Sequence, residues 1–486
     1  MSLDGRRRWL ALYLLCFGDL MIVLDSTIVN VALPSIRADL GFSATSLAWV
    51  VNAYLLTFGG FLLLGGRLGD LFGHRRMFLG GISLFTVASL ACGLATSQEF
   101  LIAARAVQGL GGALVSVVVL SLIMLMFTEP AERAKAMGIV GFVLSGGGTA
   151  GVLLGGVLTD ALTWHWIFLV NIPVGIAVFA AAILLLPPDR EAAASGRLDV
   201  AGAVTVTASL MLAVYAIVNG NETGWTSAET LGLLAAAAVL MGIFLMIETR
   251  ASSPLMPLGL FRLRNLSTAN AVGILMAGAM FGWFFLVALY LQQVLGYSPL
   301  EVGLAFLPAT LIWGFASIVL SDRLVIRYGI KVPLVGGLLL FVLGLMLFAR
   351  TPVDGSFAVD ILPGMLVMGL GGGITFNPLL LAAMGDVAPT EAGVASGIVN
   401  TAFMMGGALG LAVLASLAAS RTDSLLASGD GELAALTGGY HVGFLAAAAF
   451  AAVGVLGALL LRPAAPPAHE MGEAPTGAEA RQETPA

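Results

Sequence analysis

Apolar residues gather along this chain in long unbroken blocks, without the two-residue alternation of half-buried strands. The first block runs from Trp9 to about Val31. Others follow at about 46–66, 77–96, 99–127, 136–159, 165–187, 198–219, 229–249, 267–291, 300–320, 332–350, 361–384, 393–419 and 438–461. Crossing about 30 Å of hydrocarbon takes roughly 20 apolar residues in a helix, and each block supplies enough. Hydrocarbon admits only helices or closed barrels, because every backbone polar group must be paired within the structure, and barrel-type strands are absent here. The pattern therefore predicts an all-α polytopic membrane protein with fourteen transmembrane helices. The stretch 463–486 is rich in Pro, Ala and Glu and reads as a disordered tail.

Composition sharpens this picture. Of 486 residues, 59% are hydrophobic and only 10% charged, where soluble domains carry about 25% charged residues. The net charge of −6 is spread over loops, and no basic patch with interleaved aromatics points to nucleic acid. His74, His165, His441 and His469 are scattered without metal-ligand spacing, and no nucleotide-binding loop is present. Neither a metal, a cofactor nor an enzymatic function is expected. Cys16 and Cys92 both lie in apolar blocks and read as free core thiols. Arg6–Arg8 ahead of an apolar run imitate a signal peptide, but that run is too long and carries Asp19 and Asp25, so it reads as a retained first helix.

Lys and Arg set the orientation. Arg67, Arg75, Arg76, Arg133, Lys135, Arg190, Arg197, Arg250, Arg262, Arg264, Arg323, Arg327 and Lys331 follow even-numbered spans, on the side of Arg6–Arg8 and Arg462. Only Arg37, Arg350 and Arg421 fall on the other. The positive-inside rule makes the basic side and both termini cytoplasmic, in a multi-pass protein of the cell inner (plasma) membrane.

The chain also repeats itself. QGLGGA at 108–113 matches MGLGGG at 368–373, and ERAKAMGIV at 132–140 matches EAGVASGIV at 391–399. Gly147 and Gly151 then fall on Gly406 and Gly410. Spans 1–6 map onto spans 9–14, with spans 7 and 8 inserted. The predicted units are an N-terminal six-helix bundle over 1–190, an inserted pair and linker over 191–264, a C-terminal six-helix bundle over 265–462 and the tail. Parallel halves of this kind belong to transporters, with the site between them near the bilayer midplane.

Asp25, in LDSTIVNVALP (24–34), stands inside the first span. A carboxylate there costs roughly 2.5–3.5 kcal/mol on insertion scales and needs a partner, a proton or water. It reads either as a proton-carrying group or as an interfacial residue bonded to Ser26 or Thr27. Asp19, six residues earlier, points about 120° away around the helix, so the two acids do not share a face. Arg105, in LIAARAVQGLGGA (101–113), is the one Lys or Arg well inside a span. It either faces Asp25, with Gln108 nearby, or snorkels outward. The repeat replaces Arg105 and Gln108 by Met365 and Met368, which confines the polar machinery to the first half.

GRLGDLFGHRR (66–76) reads as a tight loop. Gly66 and Gly73 let helix ends approach, while Asp70, Arg75 and Arg76 cap or pair. A related LSDR stands at 320–323, and the pair suggests a latch between bundles. GIVGFVLSGGGTAGVLLGG (138–156) carries glycines at a density suited to a hinge or to close GxxxG packing. The candidate pocket residues are Gln108 in the first half and Trp283 and Phe403 in the second, where aromatic and Met-rich surfaces suit adaptable apolar binding.

Together LDSTIVNVALP, GRLGDLFGHRR, RAVQG and the span-five glycines resemble motifs of the major facilitator superfamily, specifically its fourteen-span drug:proton antiporter family of the EmrB/QacA type. WHWIFLVNIPVG, LGLFRLRN and GVASGIVN also look like that family. The resemblance covers the whole chain except the tail. It implies that Asp25 takes part in proton or substrate coupling and that Arg105 is the charge it works against. It also implies that Gly138, Gly147, Gly151, Gly155 and Gly156 form the antiporter motif, and that Asp70 and Arg75 belong to a gating loop. Two positions depart from the pattern. Val152 stands where that motif usually has Pro, putting a bend in span five in doubt, and His165 stands where Arg is common.

The expected activity is export of an amphipathic drug or antibiotic in exchange for protons, by a monomer whose partners are its substrate, protons and lipid. The alternatives are export of an endogenous metabolite or self-made antibiotic, a receptor without transport and, most remotely, a membrane enzyme. The topology has a direct check. A reporter active only in the cytoplasm gives signal when fused at Gly196 or Ala486 and none at Asn221. Signal at Asn221 would remove the inserted pair.

Overall fold

The computed structural model describes residues 5–127, 129–189, 199–251, 254–388 and 391–461. The predicted tail lies outside them. Fourteen long helices account for most of the described residues. In order they are α1 Gly5–Leu40, α2 Trp49–Phe72, α3 His74–Gly93, α4 Gln98–Met126, α5 Pro130–Ala161, α6 Trp166–Leu185 and α7 Val200–Thr223. Then come α8 Ala228–Arg250, α9 Arg264–Val294, α10 Pro299–Tyr328, α11 Lys331–Phe348, α12 Phe357–Met384, α13 Ala392–Ala427 and α14 Glu432–Leu459. Thirteen of these are long and apolar enough to cross a membrane among the described residues. The fourteenth, α5, runs unbroken for 32 residues, about 48 Å at 1.5 Å per residue. No strand is present among the described residues.

Local chemistry sets the ends. Ser97 accepts a hydrogen bond from the Phe100 N–H at the start of α4. Ser298 and Glu301 cap α10 reciprocally, satisfying donors that the first turn leaves open. Between α2 and α3, Gly73 takes φ +98°, a conformation other residues rarely adopt, so the chain reverses within one residue.

Helices α1–α6 pack as one bundle and α9–α14 as another. The halves repeat each other's contacts. In the first, α5 lies along α1; in the second, α13 lies along α9. Gly147 faces Leu20 as Gly406 faces Ile274, and Gly151 lies on the Leu24 backbone as Gly410 lies on Gly278. Gly155 approaches the Ile28 backbone while its counterpart Leu414 sits on Gly282. The bundles join through two symmetry-related seams, α2 against α13 and α5 against α10. The inserted α7 fits against α2 and α13, and α8 packs on α7.

The span-five glycines thus divide. Gly147, Gly151 and Gly155 fit α5 to its own bundle. Gly156 instead faces the Pro299 carbonyl, where a Cβ would come within 2.7 Å. Val152 lies on the same seam, its carbonyl opposite Gly303. Leucine at Gly151 or Gly410 would have to displace the backbone of the facing helix, a cost of about 1–3 kcal/mol or more. Gly80 faces open space. Both Gly151→Leu and Gly410→Leu are therefore expected to lower the melting temperature of detergent-purified protein by similar amounts, and Gly80→Leu to leave it unchanged. A loss confined to Gly151→Leu would mean that the two arrays do different jobs.

Candidate functional site

Asp25 and Arg105 meet inside the first bundle, both with 0% exposure. Arg105 Nη1 donates to Asp25 Oδ2 at 2.5 Å and to Gln108 Oε1 at 2.6 Å, and Arg105 Nε donates to the Val50 carbonyl at 2.9 Å. The other carboxylate oxygen, Asp25 Oδ1, accepts from Gln108 Nε2 at 2.7 Å and from Asn171 Nδ2 at 3.0 Å. Ser89 Oγ accepts from both amides and donates to the Phe168 carbonyl. The network joins α1, α2, α3, α4 and α6, five of the six helices of the bundle. A charge pair this dry holds only when its remaining donors and acceptors are also matched, and here nearly all are. The exception is Arg105 Nη2, which lacks a hydrogen-bond partner among the described residues. The guanidinium lies 4.3 Å from the Tyr54 ring centroid and 5.5 Å from that of Phe168, both favourable faces for a cation.

A cavity of about 850 Å³ lies between the bundles, within the range for small-molecule sites. It runs from Val23, Ser26, Tyr54, Phe281 and Phe403 to Gly66, Arg67, Leu255 and Gly393, toward the face where α1 begins. Toward the opposite face the halves are joined. Arg37 and Tyr440 both donate to Gln293 Oε1, at 3.1 and 2.9 Å, and Gln292 donates to the Val31 carbonyl at 2.8 Å. Tyr54 belongs to two environments, lining the cavity and stacking on Arg105.

The predicted residues separate into groups. Asp25, Arg105 and Gln108 come together, but none lines the cavity; Gln108 serves the ion pair instead. Phe403 does line it, edge-on to Phe281 and Phe376 at 6.3 and 5.8 Å. Trp283 does not. It is buried among Phe284, Phe306 and Phe348 in the second bundle. In the predicted gating segment, Gly66 on α2 borders the cavity, while in the first turn of α3 the backbone N–H groups of Arg75 and Arg76 donate to the two carboxylate oxygens of Asp189, at 2.9 and 3.1 Å. Arg75 Nη2 donates to the Ile183 carbonyl. These contacts tie α3 to α6 within one bundle rather than bridging the halves. The side chain of Asp70 and the surroundings of Gly138 lie outside the described residues. His165 stacks on Trp164, whose indole donates to Asp39 at 2.9 Å.

Sequence reasoning passed over several polar residues. Asn171 and Ser89 complete the ion-pair network, and Asn171 was visible as the polar residue of WHWIFLVNIPVG. Asp19 lines the cavity with Ser116, although only its angular separation from Asp25 could be read. In the inserted pair, buried Glu248 accepts from the Met256 N–H at 3.1 Å, anchoring the linker that borders the cavity mouth.

Comparison with known proteins agrees with this architecture. The sequence profile described as Major Facilitator Superfamily matches residues 15–411. The chain belongs to the Major Facilitator Superfamily. As a member of it, the protein is a multi-pass membrane transporter and not an enzyme. It is 40% identical over 454 residues to the puromycin resistance protein pur8 of Streptomyces alboniger, covering 93% of this chain and 89% of that one. It is also 40% identical over 437 residues to the cephamycin export protein CmcT of Amycolatopsis lactamdurans, covering 89% of each. The fold matches a bacterial homologue of the human lysosomal transporter Spinster, solved in an inward-facing and occupied conformation. That match has a TM-score of 0.67 at 16% identity and covers 94% of this chain and 97% of the other.

Removing one member of a buried ion pair strands the other charge, a cost of about 3–5 kcal/mol, whereas neutral replacements that keep the hydrogen bonds avoid it. The double variant Asp25→Asn with Arg105→Gln is therefore expected to melt above Arg105→Gln alone. A double variant no more stable than that single would show that the charges do not compensate each other.

Proposed function

We propose that this transporter exports amphipathic drugs or antibiotics in exchange for protons, as a monomer in the plasma membrane with both termini in the cytoplasm. The basic loops lie on the face where α1 begins, which the positive-inside rule makes cytoplasmic. In that orientation the cavity is open inward and shut outward, ready to load substrate from the cytoplasm. The names of the relatives, one a resistance protein and one an export protein, support this direction of transport. The cephamycin exporter also favours a second reading, in which the cargo is an antibiotic made by the producing cell itself.

The carrying observation is the ion pair set apart from the cavity. A proton arriving at Asp25 neutralises the carboxylate and leaves Arg105 without its counter-charge. The network that holds five helices together must then rearrange. Asp25 lies six residues before Val31 on α1, about 9 Å along the axis, and the Val31 carbonyl is part of the outer closure. Protonation and the outer seam thus bear on the same helix. The halves then rock about the α2–α13 and α5–α10 seams, exposing the cavity to each side in turn.

Asp25→Asn imitates the protonated acid permanently. In proteoliposomes it is expected to abolish substrate-induced proton release while protein reaches the membrane normally, and Asp25→Glu to retain part of it. Wild-type protein in inverted vesicles is expected to take up drug under an imposed pH gradient and to stop when the gradient collapses. Release by Asp25→Asn at the wild-type ratio would exclude Asp25 as the coupling site.

A further inference from the structure

The cavity contains its own acid. Asp19 is 8% exposed and stands on the cavity wall, one helical face away from Asp25 and about 9 Å nearer the open end. Ser116 donates to its Oδ1 at 2.8 Å, and no salt bridge reaches it among the described residues. Arg67, the basic residue of the lining, is at the open end, on the last turns of α2. Most of the wall is apolar, with Ile22, Val23, Phe58, Phe281, Phe376 and Phe403. A carboxylate facing such a space without a cation is costly.

The opposite wall supplies a second acceptor. Asn270 on α9 is buried, and its Nδ2 donates to the Leu266 carbonyl at 2.8 Å. That bond fixes the amide orientation, because a carbonyl can only accept. Asn270 Oδ1 has no hydrogen-bond partner among the described residues, and Asn270 also lines the cavity. An acid on one side and an unmet amide oxygen on the other favour positive charge, and the four phenylalanine rings of the wall add surface that suits a cation.

We propose that Asp19 is the counter-ion for a positively charged group on the transported molecule, so that the cavity selects amphipathic cations through a residue distinct from Asp25. This deepens the export reading, which supplies the direction of movement. The binding step stands on the cavity itself. The helix matching that pairs Leu24 with Gly278 and Leu20 with Ile274 gives Asp19 the counterpart Gly273 and Asp25 the counterpart Ala279, so neither acid is repeated.

Binding to purified protein in detergent, without any gradient, tests the assignment. The probes are tetraphenylphosphonium, a permanent cation, and triphenylphosphine oxide, a neutral relative of similar shape. Asp19→Asn is expected to raise the Kd for the cation about tenfold or more and that for the neutral probe by less than about twofold. Asp19→Glu is expected to restore most of the cation affinity. Equal weakening of both probes would reduce Asp19 to a structural role and overturn the proposal. So would cation binding that survives Asp19→Asn, or a wild-type protein that binds the neutral probe and not the cation. Proton-driven uptake in vesicles is a separate measurement, and its failure would leave these binding outcomes readable.

Discussion

The contact between Arg105 and Asp25 organises the first bundle. A guanidinium and a carboxylate stay charged in a dry interior only when most of their remaining donors and acceptors are met. The requirement draws Val50, Ser89, Gln108 and Asn171 onto one point and fixes how α1, α2, α3, α4 and α6 stand relative to one another. The helix left out, α5, is the one whose Gly156 touches α10 across the seam. The bundle therefore has a rigid part defined by charge and a close-fitting part defined by small residues.

Tyr54 stands between the ion pair and the cavity. One part of its ring takes the Arg105 cation and another faces the cavity. On the proposed coupling, a change in the position of Arg105 would reach the cavity through this side chain.

Much of this was legible in the chain. Hydrophobic block length gave the helices, because bilayer thickness is a fixed ruler. Intramembrane charge gave Asp25 and Arg105, since each demands a partner and the choices within the spans are few. The glycine repeat gave the two halves. Other features depend on rotation of helices about their axes, which block length leaves open. Trp283 was chosen as an aromatic, yet its side of α9 turns into the second bundle while that of Phe281 borders the cavity. Asp19 could be placed relative to Asp25, but only the packing of the helices around α1 reveals that its side borders the cavity. The first turn of α3 is capped by Asp189, 114 residues away from Arg75, and no local pattern announces a cap of that kind.

The division of polar groups between the halves bears on how such a protein changes over generations. Phe281, Phe376, Phe403 and Met404 shape the cavity from the second bundle and take no part in the ion-pair network. A substitution among them alters the form of the binding space and leaves the charge chemistry of the first bundle untouched. On the proposed coupling, new cargo can thus be acquired by drift in one half while the other keeps its ion pair. Lineages descended from this chain would diverge first along α9, α12 and α13.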